Sequence, residues 1–325
     1  MDDTDRRLLD ALQGELPLVP RLYHAVGEQV RLAEEDVLEK VARLKEAGII
    51  RQIGPIFDSR RLGYRSTLCA FRVEPDRLDQ VARRISAHPG VSHNYSREHE
   101  YNLWFTLTLP LQCDAAAEIS RLASQPGVTD YLDLPALQVF KIGVRFSLTS
   151  EGDEGDGRAT SAPEEQRPLT DFERRLVREA QDDLPVVPRP FLPAATRLGV
   201  TEEELLHALE HLREQRIMRR FSAVLRHRRA GFTANGMGCW AIPEERIEEA
   251  GRAASSFREV SHCYHRPAHP PWWPYTLFTM LHGRERAEVA AAAERLRQAI
   301  APDDYALLFS DKEYKKERVR YFQET

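Results

Sequence analysis

The sequence repeats itself, and that repeat limits the folds open to it more than any other feature. LPLVPRLY at 16–23 returns as LPVVPRPF at 184–191. VLEKVARLKEAGIIRQI at 37–53 is echoed by LLHALEHLREQRIMRRF at 205–221, so Val37, Leu38, Val41 and Leu44 fall on Leu205, Leu206, Leu209 and Leu212. VSHNYSR from Val91 aligns with VSHCYHR from Val260. Matching patches in one order mark a tandem duplication, so whatever one copy folds into must be made twice.

Each copy reads in two parts. Residues 5–13 carry Leu8, Leu9 and Leu12 on one helical face, and residues 34–47 carry the stripe just named. Gly48 stands where a helix-ending glycine belongs. A short apolar pair follows, Ile49 to Ile53 and then Ile56 with Phe57, and reads as the two strands of a wing. Beyond it the periodicity predicts a strand over 66–73, a helix over 75–87 opened by Pro75, strands over 91–97 and 103–109, a helix over 114–124 and a last strand over 128–134. That order, βαββαβ, is the ferredoxin-like arrangement. Copy two repeats it over 234–309 with one insertion, HPPWWP, before its third strand. The expected class is α+β, a tandem repeat of winged helix-turn-helix plus ferredoxin-like units. The expected domains are 1–63 and 64–148, a linker over 149–168, then 169–231 and 232–325. The linker is rich in Gly, Ser, Pro and acids and has almost nothing to bury, so it reads as flexible.

Composition narrows the functional classes. At 42% hydrophobic and 30% charged the 325 residues read as soluble and globular. A net charge of −5 offers no overall attraction to nucleic acid. The opening MDDTDRRLLD is acidic, and no apolar run approaches the ~20 residues that a spanning helix needs, so a cytoplasmic protein without a membrane partner is expected. Cys69, Cys113, Cys239 and Cys263 form no CxxC pair and read as reduced structural thiols.

A winged helix followed by βαββαβ resembles the Lrp/AsnC transcription regulators. LLDALQ at 8–13, VARLKEAGIIRQI at 41–53 and GPIFDSRRLGY at 54–64 carry the likeness. In such proteins the start of the second helix of the motif meets the bases. Here that end holds Glu34, Glu35, Asp36 and Glu39, and in copy two Glu202, Glu203 and Glu204. Acids there suit the helix dipole but repel phosphate, so no nucleic-acid partner is expected. One branch of the family fits better: the chain resembles the siroheme decarboxylases. The specific stretch is SHNYSREHEYNLWFTL at 92–107, supported by the paired VPR segments and by EYKKERVRYF at 313–322. Copy two departs from the pattern, with Cys263 for Asn94 and an insertion after Arg266.

In a strand, residues two apart share a face, so His93, Tyr95 and Arg97 point one way, as do His262, Tyr264 and Arg266. Such residues also suit any half-exposed strand. Their recurrence in both copies, inside the marker stretch, favours a site. The resemblance implies siroheme as substrate, an iron isobacteriochlorin with eight carboxylates. Two ring acetates lose carbon dioxide to give didecarboxysiroheme, for haem d1 or alternative haem biosynthesis. Arg97 and Arg266 would clamp carboxylates. His93 and His262 would each serve as proton donor or as axial ligand to the substrate iron, alternatives that the sequence leaves open. Tyr95 and Tyr264 would assist them. Asn102, Trp104 and Tyr275 would contact the substrate, with Tyr101 against the flat ring. No pyridoxal lysine, pyruvoyl serine or glycine-rich phosphate loop is evident, so a reaction with no cofactor and no metal of the protein's own is expected. Arg21 and Arg189 either grip propionates or hold a turn; Lys141 and Arg145 either form a basic rim or are solvated charge. His265, His269, Trp272 and Trp273 belong to a proline-stiffened loop over one end of the sheet. Two other readings stand beside the enzyme: a ligand-sensing regulator and a non-catalytic tetrapyrrole carrier. The copies can pair with each other as an intramolecular pseudo-dimer, which leaves further dimerisation open.

Overall fold

The computed structural model describes residues 2–142, 167–225 and 234–323; Arg145 and most of the expected linker lie outside them. Copy one runs α1 (Asp3–Gln13), α2 (Leu22–Val30), α3 (Glu34–Glu46), β1 (Ile50–Phe57), β2 (Tyr64–Val73), α4 (Leu78–Ser86), β3 (Val91–Arg97), β4 (Leu103–Pro110), α5 (Ala115–Ala123), β5 (Val128–Pro135) and β6 (Gln138–Ile142). Copy two runs α6 (Asp171–Ala180), α7 (Leu192–Leu198), α8 (Glu202–Glu214), β7 (Met218–Leu225), β8 (Ala234–Ala241), α9 (Ile247–Ser256), β9 (Val260–His265), β10 (Leu277–Gly283), α10 (Arg286–Ile300) and β11 (Asp304–Lys316). Capping boxes open α1, α6 and α8, through Asp2 with Asp5, Thr170 with Glu173 and Thr201 with Glu204. Gly48 follows α3 at φ +64°, a conformation that a β-carbon disfavours. No helix among the described residues is long and apolar enough to cross a membrane.

The wing differs from expectation. The apolar pair after α3 is one continuous strand, β1, and its partner is β7 of the other copy. The two pair antiparallel, with Ile53 opposite Ala223 and Pro55 opposite Phe221. A lone strand leaves its backbone groups unpaired, and the equivalent strand of the second copy satisfies them. This ribbon merges the two helical parts, so Leu8, Leu12, Val37 and Val41 share one core with Leu176, Leu205, Leu209 and Phe221.

The remaining strands form one nine-stranded order, β5-β2-β4-β3-β11-β8-β10-β9-β6. Its outermost members, β5 and β6, are separated in the chain by two residues, so the order closes covalently on itself. Each C-terminal strand serves both copies. β11 pairs β8 through Asp304–Phe309 and then β3 up to Lys316; β5 pairs β2 and its continuation β6 pairs β9. For this reason strand structure extends beyond residues 134 and 309, where the repeat alone predicted its end. Alternation along the strands sorts the core into layers. Cys69, Phe71, Phe105 and Leu107 face the α4–α5 layer. Ala70, Trp104, Met237, Cys239 and Phe278 meet between the two sheets that this order contains, β5-β2-β4-β3 of copy one and β8-β10-β9-β6.

Candidate active site

β3 and β9 run along the faces that meet, and their alternation decides what enters the space between. Asn94 donates to the Ala82 carbonyl and the Ser86 hydroxyl on α4, both at 3.0 Å. Cys263 lies 3.8 Å from the Gly251 carbonyl on α9. The Asn94/Cys263 difference therefore falls on the helix side of each sheet. The intervening residues face inward: His93, Tyr95, Arg97, His262, Tyr264 and Arg266 line a single shared cavity of about 650 Å³. That is an ordinary size for a small-molecule site, ~300–1,000 Å³.

The two triplets are near copies. The His93 and Tyr95 rings stack with centroids 6.3 Å apart at 27°, and His262 and Tyr264 at 6.1 Å and 22°. His93 Nδ1 is 3.0 Å from Ser92 Oγ, and His262 Nδ1 is 2.8 Å from Ser261 Oγ. Arg97 donates to the Leu308 carbonyl of β11 at 2.9 Å, and Arg266 to the matching Leu134 carbonyl of β5. Neither guanidinium has an ion-pair partner among the described residues, and the Nε of each lacks a hydrogen-bond acceptor. Burial draws both down to about 10, so both stay cationic at neutral pH. Asp133 acts on Arg266 through space, and no carboxylate is among the groups that act on Arg97; a buried cation without an ion-pair partner costs several kcal/mol, and an arriving anion offsets that cost. Arg51, Arg60, Arg219 and Lys316 add further cations to the lining. Its one described carboxylate, Asp58, is held by Arg219 at 2.7 Å. The cavity is built for an anion.

The histidines differ in their neighbours. Burial pulls His93 down to about 4, with Lys316 and Arg51 adding to the effect. Lys316 stands opposite His93 in the β3–β11 register, whereas Ile142 stands opposite His262 in the β6–β9 register.

Trp104 lines the cavity and donates its indole N–H to the Tyr101 carbonyl at 2.6 Å. Tyr101 is buried beside it and bonded to Asp130 at 2.7 Å. Asn102 and Tyr275 are not among the lining residues. Asn102 binds the Val73 backbone in both directions, at 2.8 and 3.0 Å, and ties the β3–β4 turn to β2. Tyr275 donates to Asp304 at 3.1 Å and packs edge-on against Trp273. The copy-two insertion drives Trp273 into the seam between the sheets, against His99, Tyr101, Trp104 and Phe278, and leaves Trp272 exposed. Arg21 and Arg189 pair with Glu34 and Glu202 at the starts of α3 and α8 and are not among the lining residues. Lys141 donates to the Phe257 carbonyl at 2.9 Å. No group of three His, Cys, Asp or Glu among the described residues is placed to hold a metal ion.

Sequence reasoning missed Arg51, Lys316, Arg219, His282 and Asn235, which also line the cavity. Arg51 and Lys316 lie inside stretches that carried the family likeness, IIRQI and EYKKERVRYF, without any pattern to single them out. His282 sits two and four residues beyond Met280 and Phe278 on β10, and that period of two was a usable signal.

Residues 61–141 and 229–315 match the family described as AsnC-like ligand binding domain, and residues 5–51 and 173–219 the one described as siroheme decarboxylase NirDL-like HTH domain. The chain is 43% identical over 321 residues to a siroheme decarboxylase of Hydrogenobacter thermophilus, a match that covers 98% of this chain and 95% of that one. The siroheme decarboxylase alpha subunit of Desulfovibrio desulfuricans is 44% identical over 151 residues, 46% of this chain and 87% of that subunit. The crystal structure of the siroheme decarboxylase NirDL in co-complex with an iron-uroporphyrin III analogue matches with a TM-score of 0.78 at 38% identity, covering 99% of this chain and 95% of that one.

Proposed function

This chain belongs to the siroheme decarboxylase family, in the form that joins both units in one polypeptide, and we propose that its inter-sheet cavity removes carbon dioxide from two ring acetates of siroheme. The observation that carries this reading is the pair of buried guanidiniums without an ion-pair partner among the described residues, Arg97 and Arg266, each beside a stacked His–Tyr pair in one cavity. A macrocycle with eight carboxylates supplies the missing counter-charge, and the planar guanidinium matches a carboxylate through two parallel hydrogen bonds. Trp104 offers a flat apolar surface to the ring.

Each turnover converts R–CH2–COO⁻ and a proton into R–CH3 and carbon dioxide. The C–C bond breaks, its electron pair spreads from the methylene carbon into the macrocycle, and that carbon then takes the proton. Because the ring is the electron sink, the step asks for no organic cofactor. An imidazolium beside the methylene delivers the proton. Burial favours the neutral form of His93; carboxylates arriving within a few ångströms favour the charged form and load it. Two such steps give didecarboxysiroheme, for haem d1 or an alternative haem route. The helix-turn-helix parts serve as scaffold: Glu35, Asp36, Glu39, Glu203 and Glu204 are exposed on α3 and α8, where they repel a phosphate backbone.

Anaerobic incubation of the purified chain with siroheme, followed by mass analysis, tests the reading. Loss of two carbon dioxide units from the tetrapyrrole supports it. An unchanged mass, with binding visible in the absorption spectrum, replaces it with a sensor or carrier.

A further inference from the structure

Behind His262 lies a layer that copy one lacks. Ser261 Oγ is 2.8 Å from His262 Nδ1, 2.6 Å from His282 Nε2 and 3.4 Å from the Met280 carbonyl. His282 Nδ1 is in turn 2.6 Å from Asn235 Oδ1. His282 and Asn235 face each other across the β8–β10 register. In copy one the same places on β4 and β2 hold Thr108 and Ser66, register partners whose hydroxyls bond to each other at 2.6 Å. The Ser92 hydroxyl meets His93 Nδ1, and no imidazole stands behind it among the described residues.

Counting hydrogens gives the copy-two chain a direction. The Asn235 carbonyl oxygen accepts, so His282 carries its hydrogen on Nδ1 and its Nε2 is left to accept. Burial, with Lys316 second, holds His282 down at about 4, so its ring has no second hydrogen at neutral pH. Ser261 has one hydrogen, and the nearer acceptor is His282 Nε2. Its oxygen must then accept from His262 Nδ1. His262 is thereby held with its hydrogen on Nδ1 and its basic nitrogen at Nε2. Ser92 carries no such instruction, because its hydroxyl can either donate to His93 or accept from it.

We propose that His282 and Asn235 are positioning residues that fix the tautomer of His262, and so set copy two's imidazole to load a proton on Nε2 and deliver it to the substrate carbon. Protonated His262 gives its Nε2 proton to the methylene as the C–C bond breaks, returns to the neutral Nδ1–H form and takes the next proton from water at Nε2. The last step rests on the decarboxylase reading; the tautomer does not.

The full chain carrying ring-15N histidine, studied without substrate at neutral pH by two-bond 1H–15N spectroscopy, tests the tautomer directly. The His262 signals are assigned by their loss in His262→Gln. The parent should show Nδ1–H. Asn235→Ser with His282→Thr, which installs copy one's own hydroxyl pair, should turn the ring to Nε2–H or to a mixture. The same double exchange should lower kcat about tenfold with KM little changed, since partners behind a working imidazole typically matter by ~10–100-fold. His282→Gln, whose amide oxygen can accept the Ser261 hydrogen, should restore the tautomer and most of the rate. A purely structural role for His282 would leave the tautomer where it was. Nε2–H in the parent, or a tautomer unmoved by the double exchange, overturns the proposal. A moved tautomer with kcat unchanged removes its catalytic half. If the decarboxylase reading fails instead, the parent shows Nδ1–H and releases no carbon dioxide.

Discussion

His93 and His262 occupy matching places in one cavity and keep different company. Both stack on a tyrosine, both bond a neighbouring serine through Nδ1, and both stand beside a buried arginine held by a strand carbonyl. Behind these shared parts the copies diverge. Copy one sets Lys316 opposite its histidine and a Ser66–Thr108 hydroxyl pair beyond it. Copy two sets Ile142 opposite and backs its histidine with Ser261, His282 and Asn235. The duplication has kept the two His–Tyr–Arg triplets and let the residues around them drift. Fusion permits this, because two halves of one chain need never be identical, whereas two copies of one gene product must be.

The largest effects should come from the histidines themselves. His93→Ala and His262→Ala should each slow decarboxylation by about 100-fold or more, the usual scale of a general acid, while siroheme binding changes little. Mass analysis of the product sharpens the comparison. If the two halves serve different acetates, each variant stalls after one carbon dioxide, and the two stalled products are different isomers. Parental activity in His93→Ala would take the proton-donor role away from copy one. Next in size are Arg97→Ala and Arg266→Ala. Removing one partner of a buried charge pair costs about 2–5 kcal/mol, so siroheme affinity should fall on the order of 30-fold or more in a spectroscopic titration. The two losses should be similar, because the two guanidiniums have similar burial and matching backbone partners. Unequal losses would move the asymmetry from the supports to the clamps.

The sequence made the duplication, both domain types and the inward-facing triplets legible, because each rests on a local period or a repeated string. It could not show that β1 of one copy would pair β7 of the other, since an apolar run of that length fits a hairpin or a longer strand equally well. Residues placed by that kind of pairing were hidden too. Lys316 reaches His93 only because β11 leaves its own sheet and joins β3. Asn102 lies in the marker stretch and Tyr275 in the matching part of copy two. Asn102 faces a backbone turn and Tyr275 an aspartate, and neither orientation follows from spacing alone.

Acid stability should separate the copies more gently. His93 and His282 stay neutral in the fold down to about pH 4, for which burial is the first cause. Unfolded histidines take up protons near ~6.5. Between those values the unfolded state binds more protons, so folding stability should fall as pH drops from about 6.5 towards 4. Urea midpoints measured at pH 7 and 4.5 read this slope, with carboxylate protonation as a background common to parent and variants. His88, His99 and His265 are also held low by burial and add to the slope in parent and variant alike; His282→Thr removes one contributor and should flatten it, and a slope identical to that of the parent would mean that His282 is already charged in the fold.

The smallest expected change tests the opposite side of the comparison. Lys316→Ile writes into copy one the residue type that copy two has at that place. Lys316 is the second cause that holds His93 low, after burial, and Arg51 is the third. Removing the lysine charge should therefore raise the His93 titration midpoint from about 4, yet leave it below ~6.5, because burial remains. The sign is fixed by the charge: a cation beside an imidazole opposes a second cation. NMR titration of the His93 ring reads the upward shift. Siroheme should bind a few-fold more weakly, since the lining loses one cation of several. If the midpoint does not move, the lysine charge is screened from the ring and burial alone sets the proton affinity. The difference between the two histidines then lies wholly in the Ser261–His282–Asn235 chain behind one of them.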